Sequence, residues 1–138
     1  MQEKTVLAID PGRTKTGLAL VQRENSGRLK LLWRDVVPTE TVVPHLHEAY
    51  STAPFHLIIV GGGTHHREVV EAVRDHLPSM GILVVDETDS SLQARERYWE
   101  YNPRRGWRRL LPASLQAPPV PYDDFAAFVL AERVLQGE

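Results

Sequence analysis

No cysteine occurs among the 138 residues, so neither a disulfide framework nor a thiolate metal site is open to this chain. Any metal must be held by oxygen or imidazole. Long apolar runs are missing too: nothing approaches the roughly 18 apolar residues of a membrane-spanning helix. The start, Met1-Gln2-Glu3-Lys4, lacks the basic and apolar regions of a secretion signal. A soluble, cytoplasmic protein with no membrane contact is expected. Neither sign of charge is in excess, the formal balance being -2. Repeats, low-complexity tracts and heptad arrays are absent as well. The length fits a single domain spanning residues 1–138, whose one core buries roughly two thirds of the unfolded surface.

What is present begins with Asp10. It ends the apolar run Val6-Leu7-Ala8-Ile9 and is followed by Pro11-Gly12-Arg13-Thr14-Lys15-Thr16-Gly17, a tight basic turn leading into Leu18-Ala19-Leu20-Val21. A carboxylate at a strand tip, beside glycines and the cations Arg13 and Lys15, suits a phosphate-bearing ligand or a divalent metal. The plainer alternative is a hairpin turn, since Asp, Pro and Gly each favour turns for local steric reasons.

Although net charge is small, six arginines fall between residues 95 and 109: Arg95, Arg97, Arg104, Arg105, Arg108 and Arg109. They are set among Tyr98, Trp99, Tyr101 and Trp107, with only Glu96 and Glu100 opposing them. Arginine against phosphate and aromatic rings against bases are the common means of gripping nucleic acid. A solvated helix end followed by a loop whose tryptophans cover the core would read the same way.

Periodicity orders the elements. Strands are expected at Lys4 to Asp10, Gly17 to Arg23 and, after the turn Glu24-Asn25-Ser26-Gly27, at Arg28 to Val37, forming an antiparallel meander. Thr39 to Thr52 predicts a helix in which Pro44 is tolerated only near the first turn. A short apolar strand, Phe55 to Val60, runs into Gly61-Gly62-Gly63-Thr64 and a helix at His65 to Leu77, the pattern of a parallel crossover. Ile82 to Val85 is a further strand ending in Asp86-Glu87. Ser90 to Gln93 has capping-box spacing and should open a helix to about Tyr101. Asn102 to Pro121 reads as irregular, and a last helix is expected from about Tyr122 to Leu135.

This order resembles the ribonuclease H-like fold, an α/β five-stranded mixed sheet with an antiparallel meander and then parallel crossovers, flanked by helices. Ala8-Ile9-Asp10-Pro11-Gly12, with Gly17 and Ala19 beyond, resembles the first-strand signature of the YqgF group of Holliday junction resolvase-like nucleases, relatives of RuvC. Asp86-Glu87-x-x-Ser90-Ser91-x-x-Ala94 is similar to that family's second acidic motif, and Asp123-Asp124-Phe125-Ala126-Ala127 to its last-helix motif. The resemblance covers essentially the whole chain.

It implies a metal-dependent endonuclease with Asp10, Glu87 and Asp123 or Asp124 as catalytic acids. Mg or Mn would be held by Asp10, Glu87 and Asp123, oxygen ligands suited to hard cations. Such ions activate water and stabilise the developing phosphorane charge, which requires carboxylates from distant chain positions to converge. Asp86 is the weaker acid, because adjacent strand residues point to opposite faces. Each acid also has an ordinary explanation: Asp123 as a helix N-cap, Asp124 as a charge in the positive first turn, Glu87 as a loop residue. Nucleic acid would be gripped by Arg13, Lys15, Arg95, Arg104, Arg105, Arg108, Arg109 and Trp107.

The implied substrate is branched DNA, a Holliday junction, or structured RNA such as a ribosomal RNA precursor, acted on by a monomer or homodimer. The turn Gly61-Gly62-Gly63-Thr64 looks more like that of YqgF-like domains in Tex-type transcription accessory proteins, and Thr88 stands where many members carry Arg. A catalytically silent nucleic-acid-binding module is therefore the alternative. His65 and His66 read as a solvated turn or, alternatively, as groups that shuttle protons or bind phosphate. A phosphotransferase of the actin and sugar-kinase class shares the Asp-x-Gly-x-x-x-x-Gly pattern, but normally needs two such domains to enclose its nucleotide.

Overall fold

The computed structural model describes residues 3–63 and 65–137. Met1 and Gln2, part of the start read above, and Thr64 of the glycine turn lie outside the described residues. The elements run β1 (Lys4–Asp10), β2 (Lys15–Arg23), β3 (Leu29–Pro38), a 3-10 turn (Thr39–Thr41), α1 (Val42–Thr52), β4 (Leu57–Gly61), α2 (His66–His76), β5 (Gly81–Val85), α3 (Ser90–Tyr101), 3-10 turns at Gly106–Leu110 and Ala113–Leu115, and α4 (Asp123–Gln136). One sheet has the order β3-β2-β1-β4-β5. Its first three strands are antiparallel, and β1-β4 and β4-β5 are parallel. The expected meander followed by crossovers is what forms.

Strand side chains alternate between faces, and both faces of β1 are apolar, so the sheet is covered on both sides. Leu7, Ile9, Leu18 and Leu20 pack against α1 and α2 through Leu46, Ala49, Val70 and Val73. On the other face Val6, Ala8, Ala19 and Val21 meet Ala127, Leu130, Ala131 and Leu135 of α4. Ala8 and Ala19 are cross-strand partners. Small residues there, facing Ala127 and Ala131, let the helix backbone lie close to the sheet centre. The alanines after Asp123-Asp124 therefore have a packing reason. α3 lies on α4 through Ala94, Tyr98, Phe125 and Val129.

Three local expectations change. The helix expected from Thr39 begins as a 3-10 turn and becomes α-helical at Val42, which makes Pro44 its third residue, where a missing N–H costs nothing. The capping box does not form. Asp89, in the left-handed region at φ 62°, precedes Ser90, with no side-chain cap bond, while the Gln93 side-chain oxygen accepts two bonds from Arg133. Tyr122 precedes α4, so Asp123 is its first residue and not its cap. Asn102 to Pro121 is irregular apart from the two 3-10 turns.

Candidate active site

The antiparallel register sets Asp10 opposite Gly17. A Cβ on Gly17 would lie 1.9 Å from the Asp123 carbonyl oxygen, so only glycine lets the first turn of α4 rest on this end of the β1–β2 hairpin. The last helix is thereby brought against the acid of the first strand.

Glu87 arrives from the far side of the sheet. The Gly62 N–H donates to the Val85 carbonyl at 2.7 Å, closing the β4 turn onto β5. A Cβ on Gly61 would stand 2.5 Å from Glu87 Oε2, and one on Gly63 2.1 Å from Oε1. The run of glycines thus leaves a notch that the Glu87 carboxylate fills. The His66 ring bonds to the Gly63 carbonyl at 2.7 Å and steadies the same turn. Arg133 of α4 donates to the carbonyls on either side of Glu87, those of Asp86 (3.2 Å) and Thr88 (2.6 Å).

These placements create strong like-charge crowding. Burial first, then the neighbouring Glu87 carboxylate and, more weakly, Asp123, push the Asp10 carboxyl up from 3.8 to about 7. Asp123 is also raised, chiefly by burial, with Asp124 adding and Lys15 opposing. Protonated Asp10 can donate to the Glu87 carboxylate. With both acids ionised there is no proton to share, and Glu87 Oε2 is a buried oxygen with no hydrogen-bond partner.

Asp124 plays a different part. Its buried carboxylate is paired with Arg34 of β3 at 2.7 Å and also accepts the Phe125 N–H. The Arg34 guanidinium lies 4.9 Å from the Phe125 ring centre, so the pair anchors the start of α4 to the sheet. Of the two adjacent acids, Asp123 is the one whose charge bears on Asp10. Asp86 is exposed and accepts from the Thr88 N–H and hydroxyl, which hold its carboxyl below the usual range.

The basic residues divide in the same manner. Arg13, in the turn after Asp10, and Lys15, the first residue of β2, are exposed. Arg105 and Arg109 are exposed, as is Trp107 at 63 %. Arg104, however, donates to the Arg108 and Leu111 carbonyls, and Arg108 lies over both Trp99 and Trp107 at 5.3 and 5.1 Å. Arg95 bonds to the Tyr122 hydroxyl at 3.1 Å. Arg104 and Arg108 thus tie the 102–121 segment to itself and to α3, and Arg95 ties α3 to the residue before α4. Arg34 and Arg133 carry no motif in the sequence; basic residues with an unpaired acid at the right strand or helix position are the only signal for them.

Does the acid set fit a divalent cation? The donors are all oxygens, one of them buried and unpartnered, which is the environment a hard cation satisfies. The set is open: among the described residues the group whose donors all lie within 4.8 Å of one another is Asp35, His45 and Glu48, not these three acids.

A pH dependence follows. Because the folded-state pKa of Asp10 is raised, the folded chain binds an extra proton between pH 3.8 and about 7, and the stability this contributes at low pH is lost as pH rises through that window. Metal-free protein should show a falling melting temperature from pH 5 to pH 8. In Asp10→Asn that fall should shrink; an identical profile would show that Asp10 is not the group responsible.

No family model and no curated protein sequence matches the chain. Solved structures do. The fowlpox virus resolvase in complex with Holliday junction DNA is 10 % identical with a TM-score of 0.63, covering 96 % of this chain and 97 % of that one. The Thermus thermophilus RuvC structure is 18 % identical with a TM-score of 0.61, covering 96 % of each. T. thermophilus RuvC in complex with a Holliday junction substrate is 21 % identical with a TM-score of 0.53, covering 96 % and 94 %. Over nearly its whole length, then, this chain has the ribonuclease H-like fold of Holliday junction resolvases.

Proposed function

We propose that the chain is a divalent-metal-dependent endonuclease of branched DNA, with Asp10, Glu87 and Asp123 as its acids. The observation that carries this reading is the Glu87 carboxylate set against Asp10 at the C-terminal ends of the parallel strands, with one Glu87 oxygen buried and unpartnered once both acids are ionised. A purely structural role gives no reason to pack two carboxylates so closely that one must keep its proton up to near-neutral pH. The glycine turn that resembles a silent module gains a use here, because it admits the Glu87 side chain. Similarity in fold to two resolvases solved with junction DNA supports the substrate class. Structured RNA, which the YqgF resemblance implies, is the competing substrate for the same chemistry.

Mg or Mn held by the three acids would activate water and offset the charge developing on the phosphate. The chain's own residues do the rest. Asp10 must give up its proton before it can serve as a ligand; burial and the neighbouring acids oppose that in the metal-free chain, and a bound cation would favour it. Lys15, already close enough to lower the pKa of Asp123, lies beside the acids to meet phosphate. Asp124 and Arg34 hold the helix start, and Arg133 holds the backbone around Glu87. Arg13 extends the cationic rim, while Arg105, Arg109 and Trp107 supply a second one.

Incubating the protein with a four-way junction, a linear duplex and a ribosomal RNA precursor in parallel, with Mg, Mn or chelator, tests the proposal. Metal-dependent cleavage of the junction is expected. Binding without cleavage of any of the three would replace it with the silent-module reading.

The division among arginines gives a sharper expectation. Each phosphate contact contributes about 0.9 to the slope of log affinity against log salt for duplex DNA. Arg105→Ala with Arg109→Ala should lower that slope by roughly two. Arg104→Ala or Arg108→Ala should instead loosen the 102–121 segment, which limited proteolysis reads directly. Equal slope losses for both pairs would return all four to phosphate binding.

A further inference from the structure

Arg34 and Asp35 are neighbours on β3 and so point to opposite faces of the sheet. Arg34 meets Asp124 on the α4 side, which leaves Asp35 on the α1 side. There it joins His45 and Glu48, three residues apart on one face of α1. The donor atoms of the three all lie within 4.8 Å of one another.

The histidine is oriented as a ligand would be. His45 Nδ1 lies 2.8 Å from the Thr41 carbonyl oxygen. A carbonyl only accepts, so this bond requires the proton on Nδ1 and leaves the Nε2 lone pair free. Metal-bound imidazoles are commonly fixed by just such a bond from the other ring nitrogen. Asp35 Oδ1 accepts the Val36 N–H at 2.8 Å, and its second oxygen remains for a ligand.

We propose that Asp35, His45 and Glu48 form a second metal site, on the opposite face of the sheet from Asp123, that takes a Zn-class divalent ion. One imidazole nitrogen and two carboxylate oxygens suit Zn, whereas Mg is held by oxygens alone. Three protein ligands leave a fourth position to water. Its effect is a clip between edge strand β3 and α1. The clip bears on the neighbouring 3-10 turn, where Thr39 bonds to the Gly12 carbonyl at 2.8 Å and the Thr16 hydroxyl at 2.9 Å, next to the turn that follows Asp10.

The test is a Zn titration by calorimetry and thermal melting of the full chain carrying Asp10→Asn, which weakens the acid cluster as a competing site. Binding of Zn with a rise in melting temperature is expected. Adding His45→Ala should weaken that binding by more than the about 10- to 100-fold that loss of an outer partner costs. Glu48→Gln, at an exposed position, gives a second variant whose folding is not at issue and should weaken binding in the same direction. No Zn binding by the parent, or affinity unchanged by both substitutions, would overturn the proposal. Because none of the three residues belongs to the acid cluster, the outcome is independent of nuclease activity.

Discussion

Asp10→Asn is expected to abolish Mg- or Mn-dependent cleavage while leaving junction binding intact or slightly tighter. The substitution preserves shape but replaces a ligand oxygen with an amide nitrogen that cannot bind a cation. Loss of several kcal/mol of metal-derived charge stabilisation corresponds to about a hundredfold to ten-thousandfold in rate. Binding survives because removing one negative charge beside phosphate relieves repulsion. The same substitution places a donor next to the unpartnered Glu87 oxygen, so the metal-free variant should also melt higher than wild type at pH 8. Cleavage rates and gel-shift affinities on one junction, with and without metal, check both halves. Wild-type turnover by Asp10→Asn would remove the acids from the mechanism.

Gly17→Ala should be nearly as damaging, though Gly17 has no side chain to contribute to chemistry. The added methyl would meet the Asp123 carbonyl at 1.9 Å, and backbone must move to accept it. Overpacking of this kind costs about 1–3 kcal/mol of stability. The larger consequence is positional: a shift of about 1 Å in a catalytic group can lower a rate about a hundredfold. The variant should therefore stay folded by circular dichroism, melt lower, and cut at roughly a hundredth of the wild-type rate. Full activity with a lowered melting temperature would mean that Asp123 need not be held where this contact puts it.

Much of this was legible in the sequence because it is written in local pattern. Continuous apolar runs located β1 and β2, and the acid at the tip of β1 stood out against the first of them. The glycine turn and the strand after it marked the crossover that carries Glu87. What stayed hidden depends on partners distant in the chain. Asp123 and Asp124 are equivalent by motif, and only Arg34, ninety residues away, separates them by binding one. Arg104 and Arg108 look like their neighbours until carbonyls and tryptophan rings are seen to occupy them. Ser90 to Gln93 has the spacing of a capping box, but Arg133 engages Gln93 instead. His45 and Glu48 have a readable helical spacing, yet their third partner lies on a strand before the helix.

The docking of α4 on β1 and β2 has a consequence in time. Asp10 belongs to the first strand and Asp123 to the last helix, so their meeting closes a long loop, whose entropic cost must be met before the contact rewards it. A chain still emerging from the ribosome, or one cut ahead of Asp123, holds two acids without the third. In the proposed nuclease, cleavage would then serve as a report on completed folding. A partly made copy would be unable to nick the nucleic acid around it.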